Sequence, residues 1–109
     1  MLSNEPNIDV TRLKPGMKLF LETGTAVYTL LVLRPKLGLV QVTSSRPELR
    51  QATVGQVIGS YQSDTSRTAF PNQIVKDLSF CLRFADGYFT SAPVTAAEVS
   101  GDHWHYIVF

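Results

Sequence analysis

Two histidines, one cysteine and a spaced pair of arginines carry most of the chemical potential of this sequence. In His103-Trp104-His105 the imidazoles stand two residues apart. On a strand that spacing puts both on one face, where they could grip one metal ion. A tight site needs a third and a fourth ligand. Cys81 and Asp102 are the donors to consider, but no spacing in the chain singles out a partner. The plainer arrangement leaves both histidines in solvent on a terminal strand, with Trp104, Tyr106 and Val108 turned inward. Cys81 is a nucleophile only if its pKa is depressed and a base lies within hydrogen-bond reach. A cysteine in mid-strand is more often a small packing residue. No catalytic residue is therefore assigned, and no cofactor is implied. The chain also lacks a glycine-rich phosphate loop and a nucleophile elbow.

The arginines suggest ligand binding. Arg46-Pro47-Glu48-Leu49-Arg50, followed by Asp64-Thr65-Ser66, resembles the PilZ family of cyclic-dinucleotide receptors. That family pairs an Arg-x-x-x-Arg segment with an Asp/Asn-x-Ser-x-x-Gly motif on a β-barrel. The resemblance implies a ligand site made of Arg46, Arg50, Asp64 and Ser66, because guanidinium groups stack on guanine and fork onto phosphate. Two departures stand out: the closing glycine is Ala69, and the segments lie closer together than in the family pattern. Arg34, Lys36, Arg46 and Arg50, set beside Tyr28 or Tyr61, also have the makings of a single-stranded nucleic-acid surface. Against that, ten Lys or Arg balance nine Asp or Glu, for a net charge of +1, without the basic excess expected of such binders.

The elements that must position these groups read as strands. Residues 1–7 are polar, contain Pro6 and are expected to fray. Residues 8–109 are expected to form one β domain. Ile8–Leu13 suggests a short strand or lead-in. Lys14-Pro15-Gly16 signals a turn. Met17–Glu22 partly alternates, Thr23-Gly24-Thr25 reverses the chain, and Ala26–Leu33 is β-branched and aromatic enough for a central strand buried on both faces. Leu39–Thr43 is a third strand, and 49–54 and 56–61 read as two more around Gly55. Residues 60–72 form the longest polar stretch and read as a mobile loop of about a dozen residues. Leu78, Phe80, Leu82 and Phe84 alternate with Asp77, Ser79, Cys81 and Arg83, the clearest period-two pattern in the chain. Asp86-Gly87 is a hairpin signal, and 88–91 is the return strand. Thr95 and Glu98 have capping-box spacing, so 94–99 is open between strand and helical turn. His103–Phe109 closes the chain as a strand.

About eight short antiparallel strands without an amphipathic helix of normal length predict an all-β small barrel or sandwich. The order of turns is similar to that of a group of short, uncharacterised bacterial all-β proteins. The matching segments are Leu13-Lys14-Pro15-Gly16, Tyr28, Gly59-Ser60 and Thr90-Ser91-Ala92-Pro93-Val94, over roughly residues 8–99. That resemblance supports the fold and brings no activity with it. A lone cysteine, no signal-peptide pattern and no long apolar run give a cytoplasmic expectation. The functional expectation is a non-catalytic β-barrel binding or interaction module. The alternatives are a nucleotide receptor using Arg46 and Arg50, and a metal protein using His103 and His105. The doubly apolar 26–33 segment and the terminal strand each offer a route to a homodimer.

Overall fold

The apolar run after Gly24 builds one wall of the core, but it buries a single row. Tyr28, Leu30 and Val32 are at most 1% exposed, while Val27 is 47% exposed and Thr29, Leu31 and Leu33 are half-buried. The expectation of a strand buried on both faces is therefore corrected: in the isolated chain the second row faces outward.

The computed structural model describes residues 7–61 and 70–109. It is all-β, and every strand pair is antiparallel. The strands are β1 (Asn7–Asp9), β2 (Lys18–Thr23), β3 (Val27–Arg34), β4 (Leu39–Ser44), β5 (Thr53–Tyr61), β6 (Phe70–Pro71), β7 (Gln73–Val75), β8 (Ser79–Phe84), β9 (Gly87–Thr90), β10 (Val94–Ser100) and β11 (His105–Ile107). One large sheet runs β11-β10-β2-β3-β4-β5-β8-β9, with β6 added on β5, and β1 pairs with β7 in a second small sheet.

Register shifts at Val32/Arg34, Val57/Gly59 and Val94/Ala96 interrupt three of the strands. Bulges of this kind bend a strand and increase its twist, so the large sheet can wrap around a single core. Its ladder does not close. The chain around the beginnings of β8 and β10 is instead laced by isolated bonds, Asp77 N to Val94 O (2.8 Å) and Val94 N to Leu78 O (3.0 Å). Inside lie Leu19 and Leu21 of β2, Val40 and Val42 of β4, Phe80 and Leu82 of β8, and Ala97 and Val99 of β10. The small sheet adds Ile8 and Ile74, which face each other in register. Phe80 meets the Tyr28 ring edge-on, with centroids 5.1 Å apart, a favourable aromatic geometry.

Several sequence expectations shift. The first strand begins at Asn7, inside the segment expected to fray, and Val10–Arg12 is a 3-10 turn rather than strand. Residues 47–49 also form a 3-10 turn, because Pro47 presets the first position. The two strands expected around Gly55 are the single strand β5. Residues 62–69 of the expected loop lie outside the described residues, and its far end supplies β6. Residues 94–100 are strand throughout. On β8 both faces are buried, since Ser79 and Cys81 are covered as well as Phe80 and Leu82. The terminal strand starts at His105, and His103 lies in the preceding bend. Of the three side chains expected inward there, Val108 is buried, but Trp104 and Tyr106 are 37% and 44% exposed. The indole instead lies against Gly101, where an added Cβ would come within 2.5 Å of the ring. No helix among the described residues is long and apolar enough to cross a membrane.

Candidate functional site

Arg46 is held by its neighbours. The Ser44 hydroxyl donates to Val27 O (2.8 Å), Val27 N donates to the Ser45 hydroxyl (3.1 Å), and Arg46 N donates to the Ser44 hydroxyl (3.1 Å). These bonds fasten the end of β4 to the start of β3 and aim Arg46 across the sheet. Its guanidinium carbon sits 5.4 Å from the centroid of the Phe89 ring, within the range of a cation–π contact. Phe89 in turn tilts against Tyr28 with centroids 5.9 Å apart. Arg50 closes the 47–49 turn and is exposed. Asp64 and Ser66, the other two residues of the PilZ-like set, lie outside the described residues. The aromatic partners proposed for a nucleic-acid surface are differently placed. Tyr28 is fully buried and cannot serve as a stacking platform. Tyr61 shares a hydrogen bond of 2.6 Å with the Thr90 hydroxyl.

The two histidines are not brought together on one strand face. His105 Nε2 bonds the Glu98 carboxylate, and its ring stacks on Phe20 at 5.9 Å with only 10° between planes. Among the described residues no group of three or more His, Cys, Asp or Glu side chains is arranged to hold a metal ion. Cys81 is buried in β8, opposite Thr90 and Gly59. Burial pushes its thiol above the ordinary 9.0, against a smaller opposing pull from the Thr90 hydrogen bond. A nucleophile needs the opposite shift.

Two surface features escape the sequence reading. One is a groove of about 270 Å³ lined by Arg12, Lys14, Met17, Gly101, Asp102 and Trp104. The Lys-Pro-Gly turn and the Gly101 bend bring its walls together, and both turns are visible in the sequence, but their proximity is not. It offers two cations, one carboxylate and the edge of an indole.

The other is the outer face of the large sheet. Register places Ile107, Glu98, Phe20, Thr29 and Thr43 in one row across β11, β10, β2, β3 and β4. The next row is His105, Ser100, Lys18, Leu31, Gln41 and Val54. On the other side of the Phe20 row, Ala96, Glu22 and Val27 are aligned. Ile107, Val54 and Val27 are 69%, 55% and 47% exposed, and Phe20 and Leu31 are half-buried. The alternation of β2 and β3 contains these positions, but only the register joins them into one patch. No family model matches the chain, and neither a curated protein nor a solved structure matches it.

Proposed function

We propose that this chain is a non-catalytic β-fold binding or interaction module whose contact surface is centred on the outer face of β2 and β3. The observation that carries this reading is the cluster of Phe20, Val27 and Leu31 on the adjacent strands β2 and β3, with the exposed Ile107 and Val54 further along the same rows, beyond Glu98 and Gln41. Isolated exposed apolar side chains are ordinary, whereas contiguous ones mark interaction surfaces. If these side chains serve contact rather than folding, replacing Val27, Val54 and Ile107 together by Ser leaves the stability of the dilute chain within about 1 kcal/mol, as for surface changes in general. Urea denaturation at low protein concentration measures it. A loss of about 3 kcal/mol or more, of the kind seen for core truncations, would make them structural and end the reading.

Arg46 favours a second reading, a receptor for an anionic planar ligand such as a cyclic dinucleotide. Its guanidinium already lies over an aromatic ring, and Arg50 stands exposed at the far end of the same turn. In this reading, Arg46→Ala and Arg50→Ala each weaken binding by about 1.5–3 kcal/mol, the range for hydrogen bonds to charged groups. Calorimetry on the unaltered protein decides it, because an absence of heat on titration with cyclic dinucleotide removes the ligand altogether.

A further inference from the structure

We infer that the occupant of the outer face is a second copy of this chain, packed sheet to sheet about a two-fold axis that crosses β2 at Phe20. The inference rests on the interaction-module reading and adds the partner and its orientation. Along β2 the outward side chains are Lys18, Phe20 and Glu22, a cation and an anion placed symmetrically about an aromatic ring. Lys18 and Glu22 are exposed and Phe20 is half-buried.

A symmetric face-to-face pair needs its two-fold axis in the plane between the sheets. Two orientations of that axis can be compared. With the axis along β2, Lys18 would lie over the Lys18 of the other copy and Glu22 over the other Glu22. With the axis across β2, the strand runs antiparallel to its copy. Phe20 then lies over Phe20, each ring flanked by its own His105, and Lys18 lies over Glu22 twice. Like charges brought together are costly and opposite charges fix register, so the charge pattern selects the second arrangement.

The same operation carries the row of Lys18 and Leu31 onto the row of Glu22 and Val27. The two apolar side chains of β3 therefore meet each other. Glu98 lies in the axis row and would face its own copy, with its carboxylate hydrogen-bonded to His105 Nε2 in each chain. Sheet twist relaxes this alignment by about 30° in aligned sheet packings without changing which rows meet.

The size of the face sets the strength expected. Because the large sheet wraps around its core, two convex outer faces meet over β2 and its two neighbours: three strands are about 15 Å wide, and a strand length of about 20 Å gives roughly 300 Å² per copy. That lies below the range of stable specific complexes, so the pair should be weak and strongly concentration-dependent. The terminal strand β11 lengthens the patch through Ile107 but is not needed for the central contact.

Light scattering with sedimentation across a micromolar series tests the arrangement, with circular dichroism confirming that each variant is folded. The unaltered chain is expected to move from 12.1 kDa toward twice that mass as concentration rises. Lys18→Glu and Glu22→Lys, made singly, each place like charges across the axis twice and should weaken association about tenfold or more. The double variant restores opposite charges and should restore association. A chain that stays at 12.1 kDa throughout overturns the proposal, while the module reading still answers to the Ser substitutions in the dilute chain. A dimer whose strength ignores both single reversals also overturns it, and points to pairing through the β11 edge. Weakening by the singles without recovery in the double overturns the antiparallel stacking.

Discussion

Cys81 shows how little a residue type says before its surroundings are known. In the sequence it is the only thiol and a conceivable nucleophile. In the fold it is a covered member of β8 whose thiol is pushed above 9.0 by burial. The sign of the resulting pH dependence is fixed. The folded thiol keeps its proton to higher pH than the unfolded one, so the stability it contributes is complete below about pH 9 and is lost as pH rises through the folded value. Comparison of Cys81→Ala with the unaltered chain by urea denaturation from neutral to alkaline pH isolates this contribution from lysine and tyrosine titrations. The difference between the two should be constant near neutrality and move against the unaltered chain above pH 9. A constant difference over the whole range would contradict the assignment. The histidine pair makes the same point differently. Spacing of two was legible, but whether both positions are strand was not, and His103 lies in the bend before β11.

At the scale of strands, alternation was readable wherever one face is buried and the other open. β2, β3, β4 and the β8–β9 hairpin lie where the apolar periodicity put them. The hairpin signal was also sound in place, although Ala85 and Asp86 form the turn while Gly87, at φ +146°, opens the return strand opposite Phe84. A glycine misled the reading elsewhere. Gly55 looked like a break because glycine weakens strands, yet it sits inside β5 under a cross-strand ring. A Cβ there would approach Phe84 to 2.7 Å and the Arg83 carbonyl oxygen to 3.3 Å. Gly55→Ala must therefore displace the Phe84 ring and should cost about 1–3 kcal/mol, as overpacking does. Gly24→Ala is the control, since nothing lies within 4 Å of a Cβ at that turn. Its effect should stay within about 0.5 kcal/mol. Equal thermal or urea shifts for the two variants would show that the Phe84 contact does not constrain β5.

For the molecule as a whole, composition and strand count were enough to predict an all-β domain, because short alternating runs separated by turn residues leave few other ways to bury this much apolar surface. They did not predict its wiring. β1 pairs with β7 across 66 positions, Ile8 against Ile74. Nothing in the local pattern of either segment specifies that partnership. The candidate contact surface was half legible for the same reason. The second apolar row of 26–33 called for something to cover it, but its alignment with Phe20, Val54 and Ile107 exists only once six strands are in register.

The outermost position of β11 has a consequence for how the native state opens. This strand is three residues long, all three are exposed, and it borders the large sheet on one side only. Beyond it, Val108 N and Phe109 N donate to Ala97 O, and Ala97 N donates to Phe109 O. β3 and β4 are flanked by strands on both sides, and their amides are released only when the common core is lost. Backbone deuterium uptake should therefore fall into two tiers. Amides of 105–107 should exchange through a shallow local opening while β3 and β4 remain protected, and the edge of β10 that faces β11 is uncovered with them. The protein thus has a native-like substate, higher in free energy than the ground state and lower than the unfolded chain, in which the sheet is one strand narrower and a fresh row of amides and carbonyls on β10 faces water.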